Sequence, residues 1–169
     1  QSEADVSRLI DIGCRPEAIE VTGSIKYDTA SVPERVVVDT ERLYQLCGFP
    51  DSSLILIGGS THAGDEALLA KAFLKLRSQF PHLRLVLAPR HAERGTAVGK
   101  ELEGLGLSFR FRSQLLASPR AEALDPVDCL LVNSTGELKA FYQSADIVFI
   151  GKTLTSKGGQ NPIEPASHG

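Results

Sequence analysis

Chemistry could occur first in two loops of this 169-residue chain, one rich in glycine and the other rich in basic residues. Gly58–Gly64 follows an apolar run and precedes a helical one, so its glycines either bring backbone N–H groups close to an anion or form a tight strand-to-helix turn. In the second loop, Arg90 directly follows an apolar run and can offer a two-pronged hydrogen bond to a phosphate or carboxylate. His91 is either a second donor to that anion or an ordinary loop histidine. Arg94 is expected to be a solvated residue of a basic turn.

Two further loops carry polar side chains that could either cap a helix or bind a ligand. Ser134 and Glu137 have the spacing of a capping box, in which a hydroxyl and a carboxylate each accept a backbone N–H group. Asn161 and Glu164 have the same spacing, with Pro162 at the first position of a predicted helix. Capping would leave Glu164 at the ends of the strands, so it does not exclude a ligand contact.

The connection Gly151–Gln160 is the most informative loop, since it is longer than the roughly two to six residues usual between a strand and a helix. It is polar, rich in glycine, and carries Lys152 and Lys157. Together with Arg90 and His91, these lysines would gather positive charge on one rim of a chain whose net charge is −3. Such a rim favours a phosphorylated ligand.

Short apolar runs that alternate with amphipathic stretches predict the elements that position these loops. This pattern indicates an α/β fold, a Rossmann-like parallel sheet with helices on both faces, in which ligands bind beyond the carboxyl ends of the strands. The predicted strands are Ser53–Gly58, Leu83–Ala88, Ser108–Arg112, Asp128–Val132 and Asp146–Ile150. The third alternates apolar with basic residues and should lie near an edge. Helices are predicted over Asp65–Phe80, up to Gly104–Gly106, over Gly136–Ser144 and from Asn161.

The first 50 residues differ in character from the rest. Ala4–Ile12 and Pro33–Leu46 are predicted helices, with an extended piece at Ile19–Val21. We interpret residues 1–50 as an interdomain connector with lead-in helices, and residues 51–169 as an incomplete nucleotide-sugar-binding domain. The chain begins at Gln1, contains no Met and ends inside a predicted helix, so we expect an excerpt of a longer protein that is truncated at its carboxyl end.

Composition excludes several classes of protein. Apolar residues make up 42% and charged residues 23%, which are globular values, and the basic residues are spread along the chain, so no nucleic-acid partner is expected. The sequence has no signal or membrane-spanning segment, which favours the cytosol. Cys14, Cys47 and Cys129 fit neither a disulfide framework nor a zinc site, so they are expected to be inert thiols that bind no metal. No cofactor is expected either.

Taken in order, the loop motifs resemble those of the 3-deoxy-D-manno-octulosonic acid (Kdo) transferases, which are GT-B glycosyltransferases. The motifs are Gly58–His62, Pro89–His91 with Arg94, Thr135–Leu138 and Gly158–Pro165, and Thr22–Asp28 is similar to the segment that joins the two halves of the family's proteins. The sequence departs from the family at three positions. Asn133, Lys152 and Gln160 stand where the family usually has Asp, a second Gly and His.

The resemblance implies an enzyme that moves Kdo from CMP-Kdo to a lipid A precursor, with inversion and without a metal, in lipopolysaccharide biosynthesis on the cytoplasmic side of the bacterial inner membrane. It implies that this chain is most of the carboxyl-terminal, donor-binding half. The general base and the membrane-associating acceptor groove would lie in an amino-terminal half outside this sequence. No catalytic residue is therefore assigned, and the chain alone is expected to hold the donor without transferring Kdo.

The same resemblance assigns donor binding to residues in all of the loops. Arg90 would contact the phosphate or the Kdo carboxylate, and Glu164 would accept hydrogen bonds from the ribose hydroxyls. The full set is Gly59, Ser60, Thr61, Arg90, His91, Thr135, Gly136, Glu137, Lys152, Gly158, Gly159, Asn161 and Glu164.

Two alternatives remain open at the level of sequence. One is another GT-B glycosyltransferase, or a sugar-nucleotide epimerase, that uses a UDP-sugar, since neither composition nor periodicity distinguishes the bases. The other is a non-catalytic α/β binding module whose glycines and caps are structural. The length and the two lysines of Gly151–Gln160 argue against that module.

Overall fold

The computed structural model describes residues 2–24, 27, 38–115, 125–155 and 158–168. The chain divides into two compact units, Gln1–Pro33 and Glu34–Gly169. In the first unit, helix α1 spans Glu3–Asp11, close to its prediction, and Ser2 and Asp5 form a capping box at its start. A short 3-10 turn follows at Pro16–Ala18.

The second unit contains a parallel sheet of five strands, as the sequence predicts. The strands are β1 Leu54–Thr61, β2 Leu83–Pro89, β3 Phe109–Phe111, β4 Cys129–Leu131 and β5 Ile147–Ile150. Their order across the sheet is β3-β4-β2-β1-β5, and every pairing is parallel. The prediction that the third strand lies at an edge is confirmed, since β3 pairs with β4 alone. Central strands β1 and β2 are almost wholly buried because helices cover both faces.

Helices pack on both faces of the sheet, as predicted. They are α2 Thr40–Leu46, α3 Asp65–Leu76, α4 Gly95–Gly104, α5 Arg112–Leu115, α6 Leu138–Gln143 and α7 Ile163–Ala166. One core cluster places α3 and α4 against the sheet through side chains such as Phe73 and Leu102. The other cluster places α2, α5 and α6 on the opposite face through side chains such as Leu43, Leu115 and Phe141.

Some predicted boundaries shift. Helix α3 ends at Leu76 rather than Phe80. Residues 33–37 of the predicted helix Pro33–Leu46 lie outside the described residues, and α2 begins after Asp39, whose carboxylate accepts the Arg42 N–H.

Residues before Asp51 also contribute to the unit that contains the sheet. It starts at Glu34, and Leu43 and Cys47 belong to its core. These side chains pack against the sheet because apolar surface is removed from water there. No helix in the described ranges is long and apolar enough to span a membrane.

Candidate functional site

The topology creates a crevice between neighbouring strands β2 and β4 at their carboxyl ends. The loop after β2 leads to α4 on one face of the sheet, whereas the loop after β4 leads to α6 on the other face. Because the two connections diverge, a gap opens between them, and such gaps are where open α/β sheets bind ligands.

A cleft of about 130 Å³ occupies this position. Ser60, Arg90, Thr135 and Gly136 line it, so the structure brings together predicted site residues from three different strand ends. The remaining lining residues are Ala88, Pro89, Val132, Ser134 and Leu138. Arg90 is exposed, and its backbone N–H is fixed by donation to the Thr61 carbonyl at 2.9 Å. No ion pair or side-chain hydrogen bond of Arg90 is found among the described residues, and the cleft is partly apolar, so the site suits a ligand that carries an anionic group.

Ser60 enters the cleft through an irregularity in β1. The pairing of β1 with β2 shifts register between Gly59 and Thr61, and Ser60 has a positive φ of 50°. Bulges of this kind turn a side chain out of the regular pleat and are common beside binding sites. The neighbouring Gly59 leaves room for Tyr142, a residue that sequence reasoning missed, since a Cβ on Gly59 would be 2.2 Å from the Tyr142 hydroxyl oxygen.

The Tyr142 side chain connects several of the predicted site residues. It is 5% exposed, and its hydroxyl is hydrogen-bonded to Ser60. Burial, together with the nearby charge of Glu164, raises the pKa of Tyr142 to about 12, so it stays a neutral phenol. The exposed Glu164 carboxylate therefore lies near the Ser60 end of the site. In the sequence, an aromatic residue at this position of a helix cannot be distinguished from an ordinary core residue.

The expectation that Arg94 is solvated is wrong. Its guanidinium donates to both carboxylate oxygens of Glu66, at 2.8 and 3.3 Å. Glu66 is fully buried and also accepts the hydroxyl of Thr61 at 2.8 Å. A buried carboxylate needs such a partner, because removal of a charge from water is costly. The side chain of Thr61 is therefore directed into this ion-pair network.

The predicted capping box at Ser134 and Glu137 is also wrong. Helix α6 begins at Leu138 without a side-chain cap. The Ser134 hydroxyl donates instead to one oxygen of the Glu137 carboxylate, and Arg112 donates to the other at 2.8 Å. Arg112 is 6% exposed, so this ion pair outcompetes capping. Both oxygens of Glu137 are occupied, which makes it a support for the Ser134 loop, and Arg112 is a further residue that sequence reasoning missed.

The loop after β5 is fixed to the start of α3 by another residue missed from the sequence, Asp65. Its buried carboxylate accepts the Lys152 N–H at 2.8 Å, the His62 N–H at 2.9 Å and the Thr155 hydroxyl at 2.7 Å. Burial raises the pKa of Asp65, but these three hydrogen bonds outweigh burial and hold the pKa below 3.8. Lys152 itself has a positive φ of 70°.

His91, Gly158, Gly159 and Asn161 do not line the cleft. The His91 side chain is 60% exposed, and its Nδ1 is 3.7 Å from the Glu93 carboxylate. Gly158 and Gly159 are exposed, and Lys157 lies outside the described residues. Asn161 accepts the Ile163 N–H at 3.2 Å, as a cap would, although α7 begins at Ile163 rather than Pro162.

A larger cavity, of about 540 Å³, lies at the opposite, amino-terminal ends of the strands. Tyr44 and Ser144 share a hydrogen bond of 2.8 Å in its wall, and Asp146 accepts the Ile55 N–H at 2.7 Å. Three exposed carboxylates line it, those of Glu41, Asp51 and Asp146, without any basic side chain. This cavity is therefore unsuited to an anionic ligand.

The described part of the chain contains no cluster of side chains that could hold a metal ion. Cys47 and Cys129 are buried, and burial raises the pKa of both thiols, to about 12 for Cys47. Both are therefore protonated thiols. Cys14 is exposed.

Comparisons with known proteins find similar sequences and a similar structure. No family model matches the chain. It is 32% identical, over 98% of its length, to the 3-deoxy-D-manno-octulosonic acid transferase of Haemophilus influenzae, and 31% identical over its whole length to the protein of the same name from Bordetella pertussis. The chain spans only 37% and 38% of those two proteins. The C-terminal CMP-Kdo binding domain of WaaA from Acinetobacter baumannii is similar in structure, with a TM-score of 0.63 and 25% identity, covering 84% of this chain and 66% of that domain's chain.

Proposed function

Because this chain is homologous to Kdo transferases over nearly its whole length, we propose that it is a donor-binding part of such an enzyme and holds CMP-Kdo. The observation that carries the proposal is the cleft between β2 and β4. Ser60, Arg90, Thr135 and Gly136 meet there from three strand ends, at the position where this fold class binds nucleotides.

Arg90 would bind the anionic part of the donor. Its guanidinium is exposed at the mouth of the cleft and has no ion-pair partner among the described residues. By contrast, the guanidinium groups of Arg94 and Arg112 are each held by a buried or nearly buried glutamate. Of these three arginines, Arg90 therefore has the guanidinium that a charge on the donor can pair with directly.

Two predicted contacts complete the donor site. Glu164, which is exposed beside Tyr142, would accept hydrogen bonds from the vicinal hydroxyls of the ribose. The exposed Thr135 and Gly136 would approach the nucleotide with their backbone, since Gly136 has a positive φ of 80° and nothing stands where its side chain would be.

The rest of the reaction belongs to the same proposal. The acceptor would be a lipid A precursor, and the general base and the membrane-associating groove would lie in a part of the enzyme outside this chain. The glutamates nearest the cleft support that division. Glu137 is already paired with Arg112, and Glu164 is assigned to the ribose. The chain alone should therefore bind the donor without transferring Kdo.

Calorimetric titration of the chain with CMP, UDP and inorganic phosphate tests the proposal. We expect CMP to bind, and to bind more tightly than UDP or phosphate. Arg90→Ala should weaken CMP binding about ten- to a hundredfold, the value of one or two charge-assisted hydrogen bonds.

Arg77→Ala is the control variant, since Arg77 lies at the far end of α3 and contacts Asp128 at 3.5 Å. A loss of affinity in Arg90→Ala that is no larger than in Arg77→Ala would remove Arg90 from the site. UDP binding as tight as CMP binding would favour the UDP-sugar enzymes instead.

A further inference from the structure

The carboxylate of Asp65 joins two loops that are distant in sequence. One oxygen accepts the N–H groups of His62, in the loop after β1, and Lys152, in the loop after β5. The other oxygen accepts the hydroxyl of Thr155. Asp65 is fully buried, and no basic side chain pairs with it in the described ranges. Its charge is stabilised mainly by hydrogen bonds from these two loops, with a smaller contribution from the charge of His62.

The residue that follows β5 is held in an unusual conformation at this point. Lys152 has a φ of 70°, which costs a side-chain-bearing residue free energy and persists only where the surroundings enforce it. The bond from its N–H to Asp65 is one such restraint. Strain of this kind concentrates at binding sites, and here no other need for it is visible.

The restraint extends to the cleft through Gly151. Gly151 donates its N–H to the Gly59 carbonyl at 2.8 Å, and a Cβ on Gly151 would lie 2.0 Å from the carbonyl oxygen of Ser60. There is no free space between this loop and the bulge that brings Ser60 into the cleft. A displacement of Gly151 toward β1 would therefore move Ser60.

We propose that Asp65 is a positioning residue for the donor site, which sets the loop at residues 151–155 against Ser60 so that the cleft is formed before the ligand arrives. The inference rests on the proposed function. It adds a residue that touches no ligand and controls affinity through a preformed geometry, because a loop that is already ordered loses less entropy on binding.

The test compares Asp65→Ala with Asp65→Asn by CMP titration. Asparagine has the same shape, so its oxygen can accept the two N–H groups while its amide donates to the Thr155 hydroxyl, which also accepts hydrogen bonds. Alanine removes all three bonds. We expect CMP affinity to fall tenfold or more in Asp65→Ala, and to remain within about threefold of the wild type in Asp65→Asn.

Thr155→Val supplies a milder variant should Asp65→Ala fail to fold. It removes one bond to Asp65, and we expect an affinity loss of about fivefold, the value of one hydrogen bond. Thr153→Val is its matched control, since Thr153 is an exposed threonine in the same loop whose hydroxyl donates to the Ile150 carbonyl. Its affinity should be unchanged.

The outcomes separate this inference from the proposed function. Absence of CMP binding by the wild-type chain would overturn the proposed function, and the inference with it. If the wild-type chain binds CMP, two results would overturn the positioning role alone. One is equal CMP affinity in Thr155→Val and Thr153→Val, and the other is an Asp65→Asn variant that binds CMP as weakly as Asp65→Ala.

Discussion

The two ends of the sheet in this protein differ in the burial of their charged side chains, and cavity size does not reveal this difference. The amino-terminal end has the larger cavity, about 540 Å³ against about 130 Å³. However, its carboxylates at Glu41, Asp51 and Asp146 are exposed. At the carboxyl-terminal end, Asp65 and Glu66 are both fully buried.

Buried charged groups are costly, so they persist where they hold something in place. At the carboxyl-terminal end, three such groups act on the loops. Glu66 pairs with Arg94 beside Thr61, Arg112 pairs with Glu137 beside Ser134, and Asp65 holds the backbone of Lys152. At the amino-terminal end, the corresponding interactions are single hydrogen bonds near solvent. The difference indicates that the smaller cleft is the organised one.

The largest expected effect comes from removal of the buried carboxylate of Glu66. Glu66→Ala should lower the free energy of unfolding by about 3–5 kcal/mol, because it leaves Arg94 and the Thr61 hydroxyl without their partner. Asp146→Ala, at the other end of the sheet, removes one bond to the Ile55 N–H and should cost only about 1 kcal/mol. Urea unfolding measures both values, and equal losses would contradict the proposed difference between the two ends.

An intermediate effect is expected from acid. The pKa of Asp65 is below 3.8 in the folded chain, since hydrogen bonds to its carboxylate outweigh burial, and returns to its ordinary value on unfolding. Its contribution to stability is therefore complete above pH 3.8 and is lost as pH falls through the lower, folded pKa.

Urea unfolding over a pH series measures this contribution. The free energy of unfolding should fall more steeply below pH 3.8 in the wild type than in Asp65→Asn. Asp51→Asn, at the amino-terminal end, serves as the control, and its profile should follow the wild type. If the stability of Asp65→Asn depended on pH as that of the wild type does, Asp65 would not be the source of this pH dependence.

The smallest effect concerns the strained residue after β5. Lys152→Gly should raise the free energy of unfolding by up to about 1 kcal/mol, because glycine adopts a positive φ without strain but loses more entropy on folding. Lys100→Gly, the same change in the exposed middle of α4, should lower it by about 1 kcal/mol. If Lys152→Gly and Lys100→Gly lowered the free energy of unfolding equally, Lys152 would be unstrained.

The sequence predicted this fold well because its signals are local. Unbroken apolar runs such as Leu83–Ala88 identify buried parallel strands, and the alternation around Arg110 identified the edge strand. The loops after those strands were found for the same reason, and four of the predicted site residues meet in one cleft. Arg94 and Glu137 were interpreted incorrectly, because their partners Glu66 and Arg112 are 28 and 25 positions away.

What the sequence by itself determined is therefore the set of strands, their parallel arrangement and the loops at their carboxyl ends, since hydrophobic periodicity and glycine content act over a few neighbouring residues. Only the tertiary structure decided which of the polar side chains are free for a ligand. Asp65 accepts a bond from Lys152, 87 positions away, and such pairings depend on strand order and on which charges are removed from water together. Neither leaves a periodic trace in the chain, so Arg90 and Arg94 could be distinguished as exposed and paired only after folding.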